Sequence, residues 1–400
     1  MATQKLNIAV FIGSGLQAGG GFQYEYMVLK LIKKYNQDKY NFKFYSTSQS
    51  TIDEFAELEL PISIVKEGLL AKVHRIVVSN LLAFNVLKKI GLGFSYIERK
   101  LSKDNIDLLY FLSPNTLSQA VTNIPYIFTL WDLGHFDILE FPEVSNNRIF
   151  EFREQLYTKS LKRAMKVTVD SYYGKEYTLK KYNLDPKRVE VLPFLPNIAL
   201  AESKNINIKD KYQLNHEYIF YPAQFWAHKN HIYILKALRI LKEEHNILLD
   251  VVFCGSDKGN LQYILNKAEE YGIAELIHYI GFAPSEDIPA LYEQSLSLVM
   301  PTYLGPTNIP PLEAFAYKTP VCYSDLPCFR EQVKDAAFFI DLAEPKSLVN
   351  NLLTIMENTE LVQNKVNAGS QILDGWSELS FYTRLENIFN EYSYIRECWE

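Results

Sequence analysis

The sequence predicts an α/β fold: two Rossmann-like, doubly wound domains facing each other, followed by a C-terminal helix. Three observations predict it. Short apolar runs alternate with helix-like segments, the pattern of a parallel sheet with helical crossovers. That alternation stops at a polar stretch and then restarts. The chain has 400 residues, long for one domain and comfortable for two.

The first half opens with an apolar strand at 6–12, a loop GSGLQAGGG and a helix-like segment at 22–35. Strands are expected at 42–45, 108–112, 126–130, 166–169 and 189–192, with a helix at 147–164 among the intervening helical patterns. The domain expectation is 1–197, then a linker at 198–217 where polar residues show no strong periodicity. The second domain, 218–377, repeats the alternation. It begins with a strand at 219–221, a helix at 232–244, a strand at 248–254, a helix at 260–271, a strand at 277–280 and a helix at 285–294. A strand at 296–300, a helix at 310–316 and a strand at 321–323 complete its sheet. The segment 378–400, helical around 381–396, follows a sheet that is already full and is expected to return toward the first domain across the seam. In two such facing domains, ligands are expected in a cleft at the carboxyl ends of the strands.

Composition narrows the function classes. Apolar residues make up 48% of the chain and charged residues 22%, so ordered cores are expected. The net charge of −6 does not steer the chain as a whole toward nucleic acid. Aromatics reach 14%, which is compatible with faces that meet sugar or lipid and equally with a composition bias toward tyrosine. Cys254, Cys322, Cys328 and Cys398 form no CxxC pair and read as reduced thiols. The start, MATQKLNIAVFIGSG, lacks the basic region and cleavage site of a signal peptide, and no apolar run approaches the length of a membrane span. A cytoplasmic protein is expected, at most peripheral at the inner face of a membrane.

The stretch from Met300 to Val321, MPTYLGPTNIPPLEAFAYKTPV, carries the most information. A buried strand passes through a Gly-Pro-Thr-Asn turn into a helix entered at Pro310-Pro311, with Glu313 expected in its first turn. The unpaired amides and dipole of such an end suit an anion, and the carboxylate suits hydroxyl groups. Together they describe a site for a nucleotide-sugar. Lys229, in AQFWAHKNH after the first strand of the second half, sits where a diphosphate leaving group needs a cation; it is otherwise a solvated lysine at a helix start, and Asn230 a helix cap. In the first half, Gly20 and Gly21 let backbone approach a ligand, although the glycines miss the dinucleotide spacing by one and a plain tight turn is the alternative. Asp132 and His135, in WDLGHFD, are candidates for sugar hydroxyls or the reacting oxygen, paired with Glu313 across the cleft; otherwise Asp132 caps a turn and His135 is a packed surface imidazole. Gly255 and Phe282, after the next two strands, complete the candidate donor-binding residues. No two aspartates stand two residues apart and no Cys/His cluster occurs, so neither a metal nor another cofactor is expected.

Residues 69–103 mix apolar runs with Lys72, Arg75, Lys88, Lys89, Arg99, Lys100 and Lys103, offset only by Glu98. In an acidic protein this block suggests an anionic membrane surface. Core-packed helices with a solvated basic edge are the alternative.

These residues together resemble glycosyltransferase family 4, retaining transferases of the GT-B fold. The resemblance runs through GGGFQYEYMVLKLI, WDLGHFDILEFPE, VTVDSYYGKEYTLKKYNLDPKRVEVLP, YPAQFWAHKN, VVFCGSD, YIGFAPSEDIPALYEQSLSLVMPT and PTYLGPTNIPPLEAFAYKTPV. It implies that Glu313 is the second acid of the family's Glu-x7-Glu signature, which holds the nucleotide ribose, and that Lys229 binds phosphate. The first acid falls on Gly305 and the paired arginine on Gln224, so the main-chain amides of Thr307, Asn308 and Ile309 are expected to take over contacts to sugar and phosphate. The usual histidine of the first-domain motif is Trp131, with His135 four residues on. The implied activity is transfer of a hexose from a nucleoside-diphosphate sugar to a glycan or lipid-linked acceptor in bacterial surface polysaccharide synthesis. The rival readings are an epimerase of the same fold, a dinucleotide oxidoreductase and a non-catalytic binding subunit.

Overall fold

The computed structural model describes residues 5–15, 19–36, 38–66, 68–78, 80–196 and 206–399. The chain divides into two compact units, each built on one parallel sheet. Unit 1 comprises Met1–Leu133, Arg148–Pro193 and Glu378–Glu400; unit 2 comprises Gly134–Asn147 and Phe194–Ser377.

The first sheet contains β1 (Asn7–Ile12), β2 (Asn41–Ser46), β3 (Ile62–Ile64), β4 (Leu108–Phe111), β5 (Tyr126–Thr129), β6 (Lys166–Val169) and β7 (Val189–Val191). Their order is β3-β2-β1-β4-β5-β6-β7, all parallel. The second contains β8 (Tyr218–Pro222), β9 (Asp250–Cys254), β10 (Ile277–Tyr279), β11 (Ser297–Met300), β12 (Val321–Ser324) and β13 (Phe338–Ile340), in the order β10-β9-β8-β11-β12-β13. Strands buried on both faces read as continuous apolar runs, which is why β4, β5, β8, β9 and β11 stand out in the sequence. The short edge strands β3 and β13 carry only three residues each and gave no periodic signal.

The tyrosine-rich composition goes largely into these cores. Tyr24, Tyr110, Tyr126, Tyr218, Tyr221, Tyr292 and Tyr323 are fully buried, and their hydroxyls find partners. Tyr24 and Tyr110 bond each other at 3.1 Å, and Tyr218 donates to the Leu291 carbonyl at 3.0 Å. The four cysteines are free thiols.

The helix Glu378–Arg396 belongs to the first unit. Phe381, Leu385, Ile388 and Tyr392 recur at helical spacing and are buried, and Phe389 meets Tyr40 edge to face at 5.3 Å. The ion pairs Lys34–Glu378 and Arg396–Asp107, both 2.7 Å, lie near its two ends.

Two domain boundaries differ from the sequence reading, and one alternative reading falls. The stretch read as a linker, 198–217, includes residues 198–205, which lie outside the described residues. Its remainder forms the helix Ile208–Tyr212 and belongs to the second unit, because the fully buried Ile208 joins that unit's core. Residues Gly134–Asn147, assigned by sequence to the first domain, also group with the second unit. The block 69–103 forms the helices Leu69–Val78, Leu81–Lys89 and Tyr96–Lys103. The first of these buries only Val78 and the second buries no residue, so core packing does not account for their apolar residues.

Candidate functional site

In the second sheet the strand order reverses between β8 and β11, so the loops leaving their carboxyl ends diverge at a topological switch point. Those loops are residues 223–230 and 301–308, which hold the two most informative motifs of the sequence. The 3₁₀ turn Ala227–Lys229 leads to the helix His231–His245, and the second loop feeds the helix Ile309–Ala316. Asn230 is the N-cap residue of the first helix at φ 57°, with no side-chain capping bond.

Lys229 reaches from one loop to the other, its Nζ donating to Asn308 Oδ1 at 3.2 Å. Asn308 is the hub of this site. Its Nδ2 donates to the Gly305 carbonyl at 3.3 Å and to the Tyr323 hydroxyl at 2.7 Å. Its backbone is clamped by Gln332, which accepts from Asn308 N at 3.2 Å and donates to its carbonyl at 2.5 Å. The Tyr323 hydroxyl closes the network by donating to Gln332 Oε1 at 3.1 Å. The Asn308 amide, expected for a ligand, is therefore spent on Gln332. Thr307 and Ile309 flank it, both buried.

The vacant acid position now has a physical reason. Gly305 sits at φ +115°, and a Cβ there would lie 2.9 Å from Asn308 Oδ1. The turn therefore demands glycine, and the carboxamide of Asn308 occupies the space a side chain at 305 would need.

Glu313 is the fifth residue of the helix Ile309–Ala316, one position deeper than expected and so just past the first turn, because the helix starts at Ile309 rather than at Pro310. It is buried, and Tyr292 donates to its Oε2 at 2.7 Å. Burial pushes its carboxyl up to about 7, against the hydrogen bond from Tyr292, which pulls it down.

A strap from the first half of the sequence packs over both loops of the second unit. In Gly134–Asn147, a Cβ on Gly134 would lie 2.0 Å from Leu304 Cδ1, so a larger residue there would have to displace the Leu304 side chain. Phe141 packs against Tyr303 at 5.3 Å between ring centroids. Glu143 accepts from the backbone N of His228 at 2.8 Å and pairs with its Nδ1 at 2.6 Å. Burial works to raise the Glu143 carboxyl, but the bonds from His228 prevail and hold it below its ordinary range. The His228 carbonyl in turn accepts from Tyr303 N at 2.9 Å, which ties the Lys229 turn to the loop after β11.

Other candidates fall elsewhere. Asp132 belongs to the first unit and is paired with Arg153. His135 belongs to the second unit and is fully buried, its ring 4.3 Å from that of Phe136, a packed imidazole and not a surface one. Gln224 accepts from the Trp226 indole at 2.9 Å. Gly255 (φ +147°) is required by close packing, since a Cβ would lie 2.5 Å from the Ala223 carbonyl oxygen. Phe282 is exposed beyond β10, next to Gly281, whose carbonyl accepts from Gly255 N at 2.7 Å.

In the first unit, part of the glycine loop, residues 16–18, lies outside the described residues. Gly20 opens the helix Gly20–Tyr35, and a Cβ on Gly21 would lie 2.5 Å from the Trp131 ring, so Gly21 serves close packing. Glu25 fastens the same turn from below, accepting from Ser14 N at 2.9 Å and from Gly13 N at 3.1 Å. Sequence reasoning passed over Tyr292, Gln332, Tyr323, Glu25 and the Glu143–His228 pair. Glu143 and His228 lay inside quoted motifs, but nothing in their spacing joins them.

Residues 203–371 match the family described as Glycosyl transferases group 1. Among curated proteins, the chain is 28% identical over 194 residues to the O-antigen chain mannosyltransferase RfbU of Salmonella typhimurium, covering 48% of this chain and 51% of that protein. It is 24% identical over 265 residues to O-antigen chain mannosyltransferase B of Escherichia coli, covering 64% and 67%. The chain thus spans about half the length of the Salmonella relative and about two-thirds of the Escherichia one. Among solved structures, a glycosyltransferase from Rickettsia africae ESF-5 matches with a TM-score of 0.71 at 16% identity, covering 97% of this chain and 99% of that one. Anabaena Alr3699/HepE in complex with UDP-glucose matches with a TM-score of 0.73 at 14% identity, covering 96% and 100%. The fold is therefore that of the GT-B glycosyltransferases, with two Rossmann-like domains, as the alternation of strands and helices predicts.

Proposed function

We propose that the protein is a retaining, metal-independent hexosyltransferase akin to glycosyltransferase family 4. It moves a hexose from a nucleoside-diphosphate sugar to a hydroxyl of a glycan or lipid-linked saccharide, in bacterial surface polysaccharide synthesis on the cytoplasmic side. The observation that carries this reading is the Lys229–Asn308 contact at the switch point of the second sheet, beside the amino end of the helix Ile309–Ala316. An ammonium group and a helix dipole converge there, as a departing diphosphate requires. The match to two O-antigen mannosyltransferases and the UDP-glucose complex of a protein of the same fold support it.

In the reaction, the bond between the anomeric carbon and the diphosphate oxygen breaks, and the diphosphate leaves with the electron pair. Lys229 and the main-chain amides of Thr307 and Ile309 stabilise that charge; a preorganised donor of this kind contributes roughly 3–4 kcal/mol. The acceptor oxygen bonds the anomeric carbon on the face the diphosphate leaves, and its proton passes to the departing phosphate oxygen. Glu313 accepts from the ribose hydroxyls through the oxygen that Tyr292 leaves open. Phe282 offers an exposed ring to the base, and Gln224 stands where the second cation of the resemblance falls.

A thermal-shift panel of nucleoside-diphosphate hexoses tests the reading. A cognate donor at a hundred times its dissociation constant stabilises the fold by about 2.7 kcal/mol. Stabilisation by none of them, or by a nicotinamide dinucleotide instead, refutes it.

A further inference from the structure

The helices Leu69–Val78 and Leu81–Lys89 invert the usual pattern of a globular protein. In the first, Leu69, Leu70, Val73, Ile76 and Val77 recur at i, i+1, i+4, i+7 and i+8, which is one helical stripe. That stripe faces solvent: Leu70 is 85% exposed and Ile76 67%. In the second, Leu81, Leu82 and Val86 are exposed too, Leu82 at 78%, and Ile90 is exposed just beyond its end. A short helix draws its stability from burying its apolar face, yet these faces bury almost nothing within the chain. Contiguous exposed apolar surface of this kind marks an interaction site.

Charge decides among partners. From residue 68 to residue 97 there is no aspartate or glutamate, while Lys72, Lys88 and Lys89 are exposed and Arg75 is partly so. The chain as a whole is acidic, at −6, so the basic charge is concentrated where the apolar side chains emerge. A second copy seated on this face would set these cations against their own equivalents with no acid between them. An anionic lipid surface complements both features, since acyl chains take the apolar side chains and headgroups take the lysines.

Length sets the mode of binding. Ten and nine residues rise about 15 Å and 14 Å, roughly half of a hydrocarbon core of about 30 Å. No single helix among the described residues is long and apolar enough to cross a membrane. We propose that this helix pair is an interfacial docking element that seats the protein on an anionic bilayer without spanning it. It does not depend on the transfer reaction, and its test needs no donor.

The test is flotation of the full chain with vesicles of phosphatidylcholine containing about one-third phosphatidylglycerol, against vesicles of phosphatidylcholine alone. The wild type is expected to bind the anionic vesicles at least about tenfold more tightly, and the double variant Leu70→Asp, Leu82→Asp to lose at least about tenfold of that affinity with an unchanged thermal transition. Lys88→Ser with Lys89→Ser is expected to reduce the preference for anionic lipid while leaving the fold intact. Undiminished binding by the aspartate variant overturns the proposal, as does absence of wild-type binding. A wild-type dimer that the aspartate variant converts to a monomer, without vesicle binding, assigns the face to self-association and overturns it as well.

Discussion

The Lys229 ammonium donates to Asn308 Oδ1 at 3.2 Å and so joins the loops that leave two neighbouring strands, β8 and β11. Because Asn308 is also held by Tyr323 and doubly by Gln332, the lysine is anchored to a rigid partner rather than to a mobile surface group. A carboxamide here positions a cation without neutralising it. An aspartate at 308 would lower the charge presented to a diphosphate.

Gly305 is predicted to be irreplaceable. Its φ of +115° and the 2.9 Å approach of a Cβ to Asn308 Oδ1 leave Gly305→Ala strained by about 1–3 kcal/mol. Donor KM should rise at least about tenfold with a modest fall in Tm. Steady-state kinetics across donor concentrations read this directly, and wild-type KM in the variant would show that the turn does not set the position of Asn308.

Glu313 is predicted to give donor binding a pH dependence. With its carboxyl at about 7 in the fold, the ionised acceptor that ribose hydroxyls require appears as pH rises through neutrality. Tyr292→Phe removes a bond that lowers this value, so the midpoint should move upward. The same shift bears on stability. A carboxyl raised in the fold adds stability that is complete below its ordinary range, near 4.5, and is lost as pH climbs through about 7. Glu313→Gln should therefore have a higher Tm than wild type at pH 8 and no advantage at pH 5. Equal differences at both values would contradict the assignment.

The Glu143–His228 pair is predicted to behave with the opposite sign. The Glu143 carboxyl is held low, so its contribution is present above the ordinary carboxylate range and is lost as pH falls through the lowered value. Glu143→Gln should lower Tm at pH 7 and lose that effect in acid. It should also raise donor KM, since His228 precedes Lys229 and is fastened by the strap. A pH-independent change in Tm would make the pair a packing contact alone.

Much of this was legible in the sequence where local chemistry repeats. Strands buried on both faces are continuous apolar runs, so both sheets were visible, and Lys229 and Glu313 stood at strand-to-helix junctions that declare themselves by proline, glycine and helix onset. What stayed hidden arises from packing between distant segments. Tyr292, on the helix Ile288–Glu293, meets Glu313 across 21 positions of chain. Gln332 reaches Asn308 from 24 positions away. Gly134–Asn147 groups with the second unit through contacts such as Gly134 to Leu304 and Glu143 to His228, which no periodicity records. Apolar spacing also cannot tell an inward stripe from an outward one, and residues 69–90 were ambiguous for that reason.

The central claim is that Lys229, anchored by Asn308, stabilises a departing diphosphate without a metal ion. The measurement that tests it most directly is the single-turnover transfer rate of wild type and Lys229→Ala with a cognate nucleoside-diphosphate hexose in excess EDTA. Wild type is predicted to keep its full rate, and Lys229→Ala to fall at least about a hundredfold with an unchanged thermal transition. A variant rate within about twofold of wild type, or a wild-type rate abolished by EDTA and restored by a divalent cation, would contradict it.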